Sequence, residues 1–326
     1  MIPGVLLPYK IRELILKKQF RERMGRRLDL RSPKSFNEKI QWYKLYYYNP
    51  DSFRFIDKLG FKSYVSERIG CGHTAELYGV WDDAGKVDLS DIPLRCVLKS
   101  NCSSYGNNLM FILGRDKYDP IRLRPELDRW LDPMNTDLAL LGREFYSIRK
   151  PLIIAEAFLG KGDIAPTDYK FYCFDGKPYC VYSAYGHFDR GKPVPSAISF
   201  YDMNWEPLDV RYGGAKRMDL PKPEHFEEMK RAAEILSEGF PFIRVDFYDC
   251  EDTYYLGEMT LTPGDGFKSF EPDSFDYELG ELFRLPKRNT KKEDFREDVY
   301  KAYTAYIKRS FIGRSQHKRK RNNRHS

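Results

Sequence analysis

Histidine is scarce in this sequence, five residues in 326, and the six cysteines (Cys71, Cys96, Cys102, Cys173, Cys180 and Cys250) form no C-x-x-C pair and no spacing to a histidine of the zinc-site kind. Zinc chemistry is set aside on that ground, and free thiols in a reducing cytoplasm are the plain reading. No stretch approaches the roughly 20 consecutive apolar residues that a membrane span needs. The N-terminal run Val5-Leu6-Leu7 is cut short by Pro8, Tyr9 and Lys10, so neither a signal peptide nor a transmembrane helix is expected. A G-x-G-x-x-G phosphate loop is absent as well.

What is present is apolar material in quantity. The chain is 41% hydrophobic and 15% aromatic, enough to fill a large core spread over two or three lobes of one catalytic unit. The formal charge of +7 is concentrated at the two ends. Residues 1–31 hold nine basic and three acidic side chains and Arg314 to Arg324 add six basic ones, which leaves the body between them near −5. Charge alone therefore gives that body no nucleic-acid-binding surface.

The first third starts helical. Residues 8–24 carry Ile11, Leu14, Ile15 and Lys18 at helical spacing, and Ser35 with Glu38 reads as a capping box that opens a second helix through Ile40, Trp42 and Leu45. Asp57-Lys58 leads into a further helix, which Gly70 and Gly72 end as an αL cap would. Strands follow. Arg95 to Ser100 is a short strand before a polar loop, Asn101 to Asn108, and Pro151 to Leu159 is a nearly continuous apolar strand. Tyr169 to Phe174 and Pro178 to Tyr182 flank Asp175-Gly176, a dipeptide that favours primed hairpin turns. Residues 224–238 read as an amphipathic helix with Phe226, Met229, Ala233 and Leu236 on one side.

The most informative segment comes next. Phe240 to Tyr248 and Tyr254 to Thr260 are two strands joined by the polar loop Asp249 to Thr253. Pairing Tyr248 with Tyr254 sets Arg244 opposite Glu258. The period of two puts Arg244, Asp246, Glu258 and Thr260 on one face and Ile243, Val245 and Phe247 on the other. Two readings are open. Paired carboxylates beside an arginine suit Mg²⁺ held between protein oxygens and phosphates, with the arginine neutralising a phosphoryl group. Alternatively, Arg244 and Glu258 form a cross-strand ion pair.

The sequence Arg244-x-Asp246, then Glu258-x-Thr260-x-x-Pro263-Gly264, resembles the metal-binding end of ATP-grasp enzymes. Asp57-Lys58, Gly70, a strand lysine, a small-residue loop and a hinge strand precede it in that superfamily's order. The segments 36–42, 97–101, 168–174, 200–205 and 257–260 resemble the TupA-like branch in particular, which is associated with teichuronopeptide and other surface-polysaccharide biosynthesis; the likeness runs from about residue 30 to 310.

The resemblance implies an α+β, ATP-grasp fold in which two α+β lobes clasp ATP behind a reduced, mostly helical N-terminal region. Its boundaries would be 1–75 for that region, 76–312 for the catalytic unit with lobes at about 76–155 and 156–312, and 313–326 for a basic disordered tail. Lys99 would reach the phosphates, and Ser103, Ser104 and Gly106 would lie in the loop that closes over them. Glu156, Ala157 and Phe158 would form the hinge strand that reads adenine, mainly through backbone groups. Asp168 and Lys170 would add contacts to the nucleotide, Asp246 and Glu258 would bind Mg²⁺, and Arg244 would meet the acyl phosphate or γ-phosphate. Thr260 stands where many superfamily members have a metal-binding asparagine. Its shorter, weaker hydroxyl makes a water-bridged ligand, or another residue such as Asp265, the alternative.

The implied reaction is a two-step ligation of a carboxylate to an amine, dominated by positioning and charge neutralisation. None of the histidines is needed for it; His73 and His187 could serve as bases, but beside glycines they read as loop residues. An amino acid or amino sugar and an acidic glycan or lipid-linked saccharide are the implied partners, in the cytoplasm, with no nucleic acid. The basic tail reads as a solvated, disordered end; the alternative is that, with the basic N-terminal helix, it gives peripheral contact at the inner face of the membrane. The aromatics around Tyr201 to Trp205 are read either as a sugar-stacking platform or as an ordered loop with a buried indole. A sugar phosphotransferase and a non-catalytic nucleotide-binding scaffold are the competing functions.

Overall fold

The computed structural model describes residues 9–47, 49, 52–90, 92–101, 108–114, 119–131, 151–185, 188–189, 192–193 and 197–289. Four helices open the chain: α1 (Tyr9–Met24), α2 (Phe36–Tyr46), the single turn α3 (Phe53–Ile56) and α4 (Lys58–Ile69). The capping box forms at α2, with Ser35 Oγ accepting from the Glu38 backbone N–H and the Glu38 carboxylate accepting from that of Ser35 at 3.1 Å. Asp57 caps α4 by accepting from the Leu59 N–H at 3.2 Å. Gly70 ends α4 at φ 94°, ψ 171°, which is a glycine conformation but not the αL cap expected from the sequence.

A four-stranded antiparallel sheet follows, built from β1 (Leu77–Trp81), β2 (Arg95–Ser100), β3 (Leu109–Leu113) and β4 (Ile153–Ala157) in the order β1-β4-β2-β3. Helix α5 (Pro120–Trp130) supplies Leu127 and Trp130 to its core. The strand expected over 151–159 is shorter at both ends.

The second sheet is larger. Its strands are β5 (Asp168–Phe174), β6 (Lys177–Tyr185), β9 (Ala197–Asp202), β10 (Pro207–Leu208), β12 (Phe242–Asp249) and β13 (Tyr254–Thr260), in the order β10-β9-β6-β5-β12-β13. Two ribbons accompany it: β7 (Phe188–Asp189) with β8 (Lys192–Pro193), and β11 (Arg211–Tyr212) with β14 (Phe270–Glu271). Asp175 and Gly176 turn β5 into β6 with φ of 47° and 77°, both positive as a type I′ turn requires. Helices α6 (Phe226–Ser237) and α7 (Ser274–Leu282) complete the unit.

The two faces of β5 and β12 differ in a way that prepares the site. Phe171, Val245 and Phe247 point to one face, fully buried, and α6 packs on these strands through Phe226, whose ring centroid lies 5.7 Å from that of Phe171. The opposite face changes character along its length. At one end Tyr172, Phe174 and Phe242 meet the Phe36 ring of α2, with Phe36 and Phe242 edge to face at 4.8 Å. One step further along the same face stand Arg244 and Asp246 on β12 and Lys170 and Asp168 on β5. Helix α2 thus covers the apolar end and leaves the ionic end to other partners.

Gly280 of α7 fixes how closely the last helix approaches α2. A Cβ there would lie 2.0 Å from the Lys34 carbonyl oxygen and 2.9 Å from the Phe36 nitrogen, both backbone atoms that cannot step aside singly. Gly280→Ala is expected to destabilise the protein by roughly 1–3 kcal/mol, as overpacked interiors do. Chemical denaturation would check this, and an unchanged midpoint would contradict the contact.

Candidate functional site

The site begins with the register of β12 against its two neighbours. On the β5 side Asp246 faces Lys170, and on the β13 side Asp246 faces Glu258 while Arg244 faces Thr260. This differs by two residues from the simple hairpin, in which Arg244 would face Glu258; the turn contributes one and a bulge the other. Tyr248 pairs with Tyr255 rather than Tyr254, and the pairing shifts between Asp246 and Phe247, where Gly257 is the extra residue. A Cβ on Gly257 would come within 2.8 Å of the Tyr248 ring, so a larger residue at the bulge would have to displace that ring. The bulge places Met259 and Leu256 toward the core and leaves Glu258 and Thr260 on the ionic face.

Asp246 is 1% exposed and carries most of the local hydrogen bonding. Its Oδ1 accepts from Arg244 Nε at 2.6 Å, and its Oδ2 accepts from Arg244 Nη2 at 2.7 Å and from Lys170 Nζ at 2.6 Å. Lys170 also donates to Asp168 Oδ1 at 3.0 Å. Burial alone would raise the Asp246 carboxyl, but Arg244 and then Lys170 outweigh it and hold the group below its ordinary value. Burial likewise disfavours the Lys170 ammonium, and Asp168 and Asp246 overcome it, so Lys170 stays charged. The ion pair of Arg244 is therefore with Asp246 on its own strand; Glu258 lies 4.0 Å away. Thr260 Oγ1 accepts from Arg244 Nη2 at 3.1 Å and donates to Glu258 Oε1 at 2.5 Å, which aims the half-exposed Glu258 carboxylate.

A carboxylate offers about four lone-pair sites, and the three bonds to Asp246 leave one on Oδ1. Thr260 likewise keeps one lone pair. Among the described residues no three His, Cys, Asp or Glu side chains come together as a metal cage. Asp246 and Glu258, hard oxygen donors directly opposite on adjacent strands, would fit a small divalent cation that takes its remaining oxygens from a ligand and water. Asp265 is committed elsewhere: its carboxylate and carbonyl take the buried ammonium of Lys44 from α2, and Gln41 donates to its carbonyl at 2.9 Å.

The smaller sheet presents a second ionic group. Glu156 on β4, 4% exposed, is held by Lys99 of β2 at Oε2 and by Lys62 of α4 at Oε1, the latter at 3.0 Å. Burial pushes the Glu156 carboxyl up, and the two ammoniums more than reverse it. The backbone N–H of Ala157 donates to the Glu76 carbonyl at 2.9 Å. Phe158 packs edge-on to Phe111 at 5.5 Å, with the Arg95 guanidinium over its ring at 5.2 Å. Residues 73–76 join the two sheets, Thr74 bridging to Leu256 of β13 and Glu76 reaching β4.

Ser103, Ser104 and Gly106 lie outside the described residues, as does His187. The root of their loop is described and is firmly tied. Asn101, 2% exposed, donates to Asp57 Oδ1 at 3.0 Å and accepts from the Leu152 N–H at 2.7 Å, so it fastens β2 to the start of α4 and to β4. Asn101→Ala is expected to cost about 1–3 kcal/mol through the buried groups it strands. Urea melts of the variant against wild type would test this, and an unchanged midpoint would contradict the tie. Trp205 is spent on packing: it stacks flat on Tyr201 at 4.0 Å, stands edge-on to Phe226 and donates from Nε1 to the Leu220 carbonyl.

One member of the ionic groups, Lys62, carried no sequence signal. Lys62 sits four residues into α4 with no feature in its neighbouring sequence to set it apart, and only the packing of α4 brings it to Glu156.

The family model described as TupA-like ATP-grasp matches residues 38–284, a span that includes every ionic residue above. The chain belongs to the TupA-like ATP-grasp family. Its α+β architecture of two antiparallel sheets with flanking helices is the ATP-grasp fold. No curated protein matches the sequence. Solved structures similar to it include a D-alanine–D-alanine ligase from Bacillus anthracis, 15% identical over 65% of this chain and 58% of that one with a TM-score of 0.40. The ATP-grasp ligase PsnB complexed with minimal precursor is 12% identical over 74% and 62%, at a TM-score of 0.39. A RimK domain protein from Sphaerobacter thermophilus DSM 20745 is 8% identical over 71% and 67%, at 0.39. The chain thus spans a little over half the length of the Bacillus enzyme, and its placement in the family rests on the family match.

Proposed function

We propose that this TupA-like ATP-grasp protein is a Mg²⁺- and ATP-dependent carboxylate–amine ligase. The observation that carries the reading is the row Lys170, Asp246 and Glu258 across three adjacent strands, flanked by Arg244. That row sets metal-binding oxygens next to fixed cations on one face of one sheet. Lys99 and Lys170 bind the phosphates, and Glu156, Ala157 and Phe158 line the adenine side. Ser103, Ser104 and Gly106 belong to the loop over the phosphates. Asp246, Glu258 and, through its remaining lone pair, Thr260 hold Mg²⁺, which when bound neutralises the phosphate charge. In the first step a substrate carboxylate oxygen attacks the γ-phosphorus and ADP leaves. In the second, an amine nitrogen attacks the carbonyl carbon of the acyl phosphate, phosphate departs and the nitrogen loses a proton. Arg244 is fixed by two bonds to Asp246, so it meets the transferring phosphoryl group without reorganising.

The substrates that suit the TupA-like family are an acidic glycan, free or lipid-linked, and an amino acid or amino sugar, joined on the cytoplasmic side during cell-envelope polysaccharide synthesis. No helix among the described residues is long and apolar enough to cross a membrane. The basic α1 and the basic C-terminal residues favour contact with an anionic membrane face. Calorimetric titration with Mg·ATP followed by mass analysis of products from uronic and amino acids tests the reading. ADP with a new amide supports it. A phosphorylated sugar would make the protein a phosphotransferase, and failure of the wild type to bind nucleotide would end the reading.

A further inference from the structure

Glu156 poses a problem for any ligand that needs Lys99. The carboxylate is 4% exposed, and Lys99 ends on one of its two oxygens. If Lys99 were its sole counter-charge, moving that ammonium onto a phosphate would strand a buried carboxylate, a loss that commonly offsets most of what the new contact gains. Lys62 changes the balance. It reaches the other Glu156 oxygen at 3.0 Å from a different element, α4, and its ammonium also donates to the Ala75 carbonyl in the segment joining the sheets. Lys62 is thus anchored at two points, whereas Lys99 extends from the last residues of β2, two positions before Asn101.

We infer that Lys62 is a positioning residue of the nucleotide site: it keeps Glu156 paired so that Lys99 can leave the carboxylate and bind a nucleotide phosphate. The inference rests on the ligase reading above and deepens it. Glu156 is then the resting partner of Lys99, and the helical N-terminal region takes part in nucleotide affinity through one side chain. The effect lies on binding rather than on the chemical step, because Lys62 touches neither the phosphates nor the reacting carbon.

The test is a double-mutant cycle on Mg·ADP affinity by calorimetry with wild type, K62M, K62R, E156Q and K62M/E156Q. K62M is expected to weaken Mg·ADP at least tenfold, because Lys99 is then the only ammonium left to Glu156. K62R, which keeps the charge, should stay near wild type. In K62M/E156Q the carboxylate is gone, so Lys99 is released and affinity should return to that of E156Q; the same variant guards against misfolding from an unpaired buried charge. In steady state, K62M should raise the KM for ATP with little change in kcat. Wild-type binding with unchanged K62M affinity, or a double variant whose losses simply add, overturns the inference alone. A wild type that binds no Mg·ADP overturns the ligase reading and the inference together.

Discussion

Replacing Asp246 by Asn is expected to cost about 3–5 kcal/mol of stability, the range for removing one partner from a buried charge cluster. The reason is local: the side chain is 1% exposed and accepts three charged hydrogen bonds, two from Arg244 and one from Lys170. Lys170 keeps Asp168 in the variant, but Arg244 is left with Glu258 at 4.0 Å and the Thr260 hydroxyl. Metal-dependent nucleotide binding should disappear in the same variant. The pH dependence gives a second signature. The folded carboxyl lies below the ordinary 3.8, so its contribution is fully present above that value and is lost as pH falls through the lower folded value. The difference in urea stability between wild type and Asp246→Asn should therefore be level at neutral pH and shrink under acid. A difference that does not shrink would mean that the charge is not what holds Arg244 and Lys170.

Glu258→Gln should behave in the opposite way. Its side chain is half-exposed, and its one ion pair among the described residues is at the 4.0 Å limit, so stability should change by less than about 0.5 kcal/mol, as surface substitutions do. Turnover should fall by roughly 10²–10³, the scale for losing one preorganised electrostatic contact to a transition state. The pair of variants would separate the two contributions on one row of the sheet, because only Asp246 also holds Arg244 and Lys170 in place. A Glu258→Gln protein with wild-type turnover at saturating Mg²⁺ would remove Glu258 from the metal site.

Much of this could be read from the chain itself. The capping box at Ser35 and Glu38, the Asp175-Gly176 turn and the α6 stripe each depend on residues close in sequence, and each appears where local chemistry places it. The alternation in 242–249 and 254–260 also put Arg244, Asp246, Glu258 and Thr260 on one face, because strand periodicity needs no tertiary information. Register was another matter. It depends on the Gly257 bulge, which forms where the Tyr248 ring crosses the neighbouring strand, and no local pattern announces that crossing.

By itself the sequence determined helices α1, α2, α4 and α6, the strands β2, β4, β5, β6, β12 and β13, the polar face of the β12–β13 hairpin and the resemblance that the family match bears out, since all of these follow from period, caps and motif order. Only the tertiary structure decided which charges pair. Asp246 closes on Arg244 and Lys170, Glu156 takes one lysine from β2 and one from α4, and Asp265 is drawn to Lys44 of α2. A buried charge must find a counter-charge wherever packing brings one within about 3 Å, and sequence separation does not enter that requirement.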